Sequence, residues 1–370
     1  MKAAVLFASG LPLEVCDLSI GMPQPREVLV RVAASGLCHS DLHFVTGDLP
    51  AQFPVVLGHE VAGIVEAVGS DVASCRVGDH VVSCTLVFCG LCNQCVSGRT
   101  HTCSDRPERS KSDPPRLMHQ GKPVFQGMRV GGFAEQVLIH EHSVVQIDRT
   151  VPLDLAALLG CGVLTGMGAV FNSARVSPGS RVVVIGCGGV GLAVIQAARI
   201  AGARQIIAID ANPAKQSIAL KFGATDFVSG SDRIVDEVRE LTRGGADFAF
   251  EAIGVPELIA QGIRMLAIGG LMTIVGAIPT KATIPLPGLG MIYNEWRVQG
   301  TLFGSSAFTR DIPRIIDLYQ RGLIDLEAMV SRRIELADVN EGFADLAGAA
   351  TQARNVITFT EVLADAVANS

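Results

Sequence analysis

The chain has 370 residues, 49% hydrophobic and 18% charged, with 40 glycines, ten cysteines and a formal net charge of −6. Such a composition suits a well-packed protein of two domains, excludes long disorder, and offers no basic footprint for nucleic acid or an anionic membrane. The N-terminus shows no signal-peptide pattern and no apolar run is long and unbroken enough to span a bilayer, so the expected location is cytoplasmic; clustered cysteines there mark metal or catalysis more often than disulfides.

Up to about residue 146, short apolar runs at 3–7, 28–33, 61–68, 79–83 and 133–139 are broken by Gly, Pro and Asp. That pattern predicts a mostly β domain with long loops. Residues 152–172 carry Leu, Ala and Val at helical spacing and predict one helix. From 181 the pattern changes: strands at 182–186, 205–210, 225–228, 246–252, 271–276 and 297–303 alternate with helices at 190–201, 213–222, 234–242 and 256–267. This alternation predicts a parallel doubly wound sheet, and hence an α/β protein. Helices at 309–321 and 336–349 and a strand at 355–359 are too short for a domain of their own and are expected to return to the first.

Three groups of residues carry chemistry. Gly186-Cys187-Gly188-Gly189-Val190-Gly191 fits G-x-G-x-x-G between a predicted strand and helix, where glycines let backbone amides approach a pyrophosphate. Asp210 closes the next strand, and its carboxylate suits ribose hydroxyls and repels a 2′-phosphate, favouring NAD over NADP. The bland alternative is a glycine turn with a helix-capping Asp. Cys89, Cys92, Cys95 and Cys103 form a four-sulfur set at structural-zinc spacing, with iron–sulfur ligation as the rival. The stretch from Gly36 to His43, read as a loop, offers Cys38, His39, Ser40, Asp41 and His43. A catalytic zinc wants about three protein ligands and an open position. His59, followed by Glu60, and Cys161 between two glycines are the best further pieces, although alone they read more often as a loop histidine and a core thiol.

In this order, Cys38-His39-Ser40-Asp41, Gly58-His59-Glu60, the four cysteines, Gly160-Cys161-Gly162, the glycine fingerprint and Arg354 resemble the zinc-dependent medium-chain alcohol dehydrogenases over essentially the whole chain. The Cys-His-Ser-Asp-Leu-His form and the long segment after Cys103 are most similar to the class III-like and actinobacterial branch. The resemblance implies a GroES-like, mostly β catalytic domain over 1–162 and 303–370, with a zinc lobe at about 84–110, and a Rossmann NAD-binding domain over 163–302. It implies two zinc ions per subunit, one catalytic on Cys38, His59 and Cys161 and one structural on Cys89, Cys92, Cys95 and Cys103.

By the same resemblance Glu60 lies behind the metal, Asp41 supports the other nitrogen of His59, Ser40 receives the alcohol proton and His43 passes it outward. Gly186, Gly188, Gly189, Val190, Gly191, Asp210, Lys215, Val275 and Arg354 meet NAD, with Arg354 on its phosphates. His39 stands where many members carry arginine, which should weaken that phosphate contact and make it depend on pH. Leu49, Thr85, Ala277 and Leu302 line the substrate pocket, a mostly apolar and roomy set that favours medium-chain or aromatic primary alcohols. The implied partner is a small alcohol or aldehyde and a second copy of the chain, a homodimer rather than a homotetramer. Two rival readings stand beside this one: a thiol-adduct-dependent formaldehyde dehydrogenase, and a non-enzymatic regulator that binds NAD or zinc.

Overall fold

The ten-residue segment Glu27–Gly36 buries nine of its residues, more than a strand with one wet face can. In the computed structural model, which describes residues 1–110, 112–348 and 353–368, this segment is the centre of a seven-stranded sheet. Glu60–Val68 runs antiparallel along one edge of it; Gln136–His140 and Arg354–Thr358 share the other. Beyond Glu60–Val68 the sheet continues through His80–Ser83 and Val144–Gln146, and beyond Arg354–Thr358 through Val330–Ile334. A second, six-stranded sheet joins Lys2–Leu6 to Glu14–Asp17, Val55–Val56, Lys122–Gln126, Leu117–His119 and Ser19–Ile20.

These sheets belong to one unit, formed by Met1–Cys161, Ala307–Asp317 and Leu326–Ser370. Its core gathers Leu6, Leu37, Leu57, Phe133, Phe343 and Ile357. Ile357 joining that core shows how the C-terminal segment returns to the N-terminal sheets.

The other unit is Gly162–Ser306 with Leu318–Asp325. Its six strands are all parallel, in the order Asp226–Ser229, Gln205–Asp210, Arg181–Ile185, Ala246–Glu251, Leu266–Ile274, Arg297–Gly300. This is the doubly wound order, and it follows from strands such as Val182 to Ile185 that are apolar on both faces and must be covered by helices on each side. Among the described residues no single helix is long and apolar enough to cross a membrane; one bent pair, Leu153–Gly160 with Gly162–Ala174, passes that test by composition. Its apolar residues Leu155, Leu158, Leu164 and Met167 are buried in the fold.

Several elements depart from expectation. The helix expected over 152–172 is four pieces, Leu153–Ala156, Ala157–Gly160, Gly162–Gly168 and Ala169–Ala174, interrupted at Cys161, whose φ of −144° and ψ of −77° are not helical. The stretch around His39 is a helix, His39–Thr46, rather than a loop. The fifth parallel strand begins at Leu266, inside the segment expected to be helical, because Leu266 and Leu271 to Ile274 all pair with the strand before it. Helix Phe308–Gln320 is divided between the two units. Position 349 of the helix expected at 336–349 lies outside the described residues, as do positions 111, 350–352 and 369–370.

The central strand also anchors the long segment after Cys103. Glu27, 3% exposed, receives hydrogen bonds from the guanidiniums of Arg109 and Arg116 and from the backbone N–H of Gln24. Burial alone would raise its pKa, but the two arginines and that N–H hold it down at about 2. A carboxyl whose folded pKa is depressed stabilises the fold above its ordinary value of 4.5 and loses that contribution as pH falls toward 2. Glu27→Gln should therefore lower the melting temperature at pH 7 and leave a gap to wild type that narrows below pH 4.5. A gap that stays constant down to acid unfolding would refute the ion-pair account.

Candidate active site

Strand register gathers the first site. Gly36 pairs with Glu60 on one edge and with Val356 on the other. Continuing past Gly36 reaches Cys38, the residue before Glu60 is His59, and two residues before Val356 is Arg354. Leu37 N–H donates to Asn355 O at 2.9 Å and fixes this convergence. Gly36 leaves room there for the Glu60 carboxylate, because a Cβ would stand 2.3 Å from Glu60 Oε2 and force that side chain to shift. Cys161 arrives through the helix break. Gly160, whose Cβ would meet Ser83 O at 2.5 Å, lets the chain pass close enough to the sheet for the next residue to turn inward.

The result is a buried set in which Cys38 Sγ, Cys161 Sγ, a ring nitrogen of His59 and a carboxylate oxygen of Glu60 lie within 4.8 Å of one another. His59 Nδ1 stands 2.9 Å from Asp41 Oδ2, an ion-pair approach rather than an in-line hydrogen bond. Asp41 itself is held by the N–H of Gly58, which donates to its Oδ1 at 2.9 Å. With Nδ1 turned to Asp41, Nε2 of His59 is left fully buried with no hydrogen-bond partner among the described residues. Burial opposes a charged His59, yet Asp41 and Cys38 together raise its pKa well above the ordinary value. The thiol of Cys38 is held low, first by a hydrogen bond from Cys161 and, against burial, by the charges of Arg354 and His59; Cys161 is held high by the same pairing. Burial pushes Glu60 up to about 7, with Arg354 opposing.

Two sulfurs and an orphaned imidazole nitrogen fit zinc, and three such ligands leave a position open. A buried polar atom without a partner is otherwise costly, so the donor set itself argues for an ion. Arg354 is only 4% exposed, and its Nη2 donates to Glu60 Oε1 at 3.3 Å and to Cys38 Sγ at 3.5 Å. Ser40 Oγ is 3.7 Å from Cys38 Sγ. His39 opens the helix and is exposed. His43 Nδ1 lies 3.2 Å from Asp48 Oδ2, and the hydroxyl of Thr46 donates to the same oxygen at 2.6 Å. Asp48 is a partner that sequence reasoning missed; its only signal is an acid five residues beyond a candidate proton carrier, just past the turn at Gly47.

The four cysteines also converge. Sulfur separations are 3.5 Å for Cys92 and Cys95, 3.6 Å for Cys89 and Cys103, and 3.9 Å for Cys89 with Cys95 and Cys92 with Cys103. Metal–sulfur bonds of about 2.3 Å at tetrahedral angles require edges of about 3.8 Å, so the set has the size of a zinc tetrahedron. Backbone N–H groups of Leu91 and Cys92 point at Cys89 Sγ, at 3.3 and 3.2 Å, as they do toward a thiolate.

In the other unit, the strand Arg181–Ile185 turns at Gly186, with φ of +96°, into helix Gly189–Ile200. A Cβ at Gly191 would stand 1.7 Å from Gly186 O, so the turn closes only with glycine there. Asp210 accepts the N–H of Cys187 at 2.8 Å and of Asn212 at 2.9 Å, which fixes its carboxylate beside the fingerprint. Lys215 is buried and Val275 half-buried. Of the expected pocket residues, Thr85 is buried and Leu49 half-buried in the first unit, while Ala277 and Leu302 are exposed in the second.

Residues 24–149 match the alcohol dehydrogenase GroES-like domain, and residues 189–321 match the zinc-binding dehydrogenase domain. The chain is 40% identical over 353 residues to the NDMA-dependent alcohol dehydrogenase of Amycolatopsis methanolica, covering 93% of this chain and 95% of that one. It is 38% identical over 369 residues to the S-(hydroxymethyl)glutathione dehydrogenase of a Synechocystis strain, covering 97% and 99%. The crystal structure of benzyl alcohol dehydrogenase from Acinetobacter calcoaceticus superposes with a TM-score of 0.90 at 33% identity, covering 97% of this chain and 99% of that one.

Proposed function

This chain belongs to the family of zinc-dependent medium-chain alcohol dehydrogenases, and from that membership we propose that it interconverts primary alcohols and aldehydes with NAD, at a catalytic zinc held by Cys38, His59 and Cys161. The observation that carries this reading is the buried convergence of those two sulfurs with the orphaned Nε2 of His59. Cys89, Cys92, Cys95 and Cys103 would hold a second, structural zinc.

When bound, zinc supplies Lewis acidity toward the alcohol oxygen and NAD accepts the hydride. The chain's own residues do the rest. Asp41 fixes the orientation of His59 and leaves Nε2 for the metal. Ser40 takes the alcohol's proton, and His43, steadied by Asp48, passes it on. Glu60 and Arg354 neutralise one another behind the cysteines, so the buried sulfur charge is balanced without filling the open position. Asp210 accepts from the adenosine ribose, and its negative charge disfavours a phosphate on that sugar.

The test is a panel of benzyl alcohol, octanol and ethanol with NAD, NADP or NDMA as acceptor. Expected are faster turnover of the two larger alcohols than of ethanol, and a preference for NAD over NADP of about 100-fold in kcat/KM, the scale of a few kcal/mol for a like-charge approach. Asp210→Gly should narrow that preference. A rate that requires NDMA and is unmoved by added NAD would replace free NAD as the acceptor, in line with the name of the Amycolatopsis relative. Activity confined to hydroxymethyl-thiol adducts would move the substrate to the class named for the Synechocystis relative.

A further inference from the structure

The strand Ala246–Glu251 ends on a glutamate that is 0% exposed. A carboxylate at the carboxyl end of a parallel strand ordinarily faces solvent or ligand. Glu251 turns instead into its own loop, where Oε1 accepts three backbone N–H groups: Ile253 at 3.0 Å, Gly254 at 2.6 Å and Val255 at 3.2 Å. The loop leads into helix Pro256–Arg264, which has no side-chain cap at Val255 and no N–H on its first residue. Glu251 therefore satisfies the turn that leads into the helix, not the helix's own first N–H groups. Its Oε2 is buried with no hydrogen-bond partner among the described residues. Burial raises the pKa of this carboxyl, against the pull of the three N–H groups.

The loop so fixed is pressed on both sides. Toward the glycine fingerprint, a Cβ on Gly186 would stand 2.6 Å from Ile253 Cγ1, and Ala252 N–H donates to Ile185 O at 2.9 Å. Toward the next strand, a Cβ on Gly254 would stand 2.0 Å from Ala277 O, and one on Gly276 would stand 2.1 Å from Gly254 N. Val275 and Gly276 donate their N–H groups to Glu251 O at 2.8 and 2.9 Å. One buried residue thus ties the first fingerprint glycine to the segment 275–277 through a loop that has no slack.

We propose that Glu251 is a positioning residue of the dinucleotide site: by holding the turn 252–255 it sets where Gly186 and residues 275–277 stand relative to one another. This rests on the reading that NAD binds at Gly186 to Gly191. An apolar side chain at 251 would leave three backbone N–H groups without an acceptor, and the turn would relax away from the fingerprint. A glutamine keeps a carbonyl oxygen where Oε1 stands and preserves the turn.

The test uses the full chain as Glu251→Ala and Glu251→Gln, with NADH affinity by fluorescence titration and separate KM values for NAD and benzyl alcohol. Glu251→Ala is expected to weaken NADH binding by about tenfold or more and to raise the KM for NAD in step, by more than any rise in the KM for the alcohol, whose expected pocket shares Ala277. Glu251→Gln is expected to stay within about threefold of wild type on every measure. Should the alanine variant not fold, Glu251→Asp, which draws the carboxylate back by one methylene, replaces it with a loss of about fivefold expected. NADH affinity within about twofold of wild type in the alanine or aspartate variant overturns the proposal, as does an equal loss in the glutamine variant. Wild-type protein that binds no NADH contradicts instead the assignment of NAD to the fingerprint, so the two failures are separable.

Discussion

Cys38→Ala is expected to remove one of the two zinc ions proposed for each chain and to lower alcohol oxidation by about a thousandfold or more, since a catalytic metal contributes several kcal/mol and about 1.4 kcal/mol is tenfold. The sulfur sits where three strands converge, faced by Cys161, His59 and Arg354. Its loss leaves two ligands, too few to keep zinc at a site with an open position. The Glu60 and Arg354 pair survives the substitution, so the pocket does not acquire an unbalanced buried charge. The glycine fingerprint lies in the other unit, so dinucleotide binding is expected to persist. Metal analysis, the rate at 340 nm and NADH fluorescence read these three consequences separately. A variant that keeps both zinc ions and a rate within about tenfold of wild type would remove Cys38 from the ligand set.

The second large effect is on stability. Cys95→Ala should release the other zinc and lower the melting temperature by about 10 °C or more, because structural zinc contributes folding energy of about 10 kcal/mol in the smallest domains and each kcal/mol shifts a domain of this size by about 2–4 °C. In the lobe between Cys89 and Cys103 few side chains are buried. Leu91 is 86% exposed and Val96 70%, while Cys95 and Cys103 are among its buried side chains. Differential scanning calorimetry with zinc counting checks this, and a colourless protein without absorbance near 400 nm would exclude the iron–sulfur alternative. Unchanged melting with full zinc content would mean the four sulfurs hold no ion that matters to the fold.

What could be read from the sequence followed the range of the interactions. The four cysteines and the glycine fingerprint are local, and each carries its geometry in its spacing. The parallel sheet was legible because strands such as Val182 to Ile185 must be apolar throughout. Cys161 is legible as a candidate ligand and does lie beside Cys38 and His59, but the helix break that delivers it is not legible, since that break answers to Gly160 lying against Ser83, far away in sequence. The position of Arg354 depends on Val356 pairing with Gly36, a register that no local pattern encodes. The helix at His39–Thr46 was missed because its Ser, Asp and His residues are weak helix formers, and tertiary packing of Asp41 against Gly58 and His59 overrides them. Glu251 was invisible for a similar reason: an acid ending a strand looks solvated until the turn folds back on it.

The central claim is that this chain oxidises alcohols through a zinc held by Cys38, His59 and Cys161. Its most direct measurement is NADH formation from benzyl alcohol and NAD by protein first stripped of the metal with a chelator and then titrated with zinc. The account predicts that activity is lost on stripping and returns in proportion to the zinc restored at the Cys38 site, with the Cys38→Ala variant silent throughout. NADH formation that persists in stripped protein, or that returns equally in the variant, would contradict it.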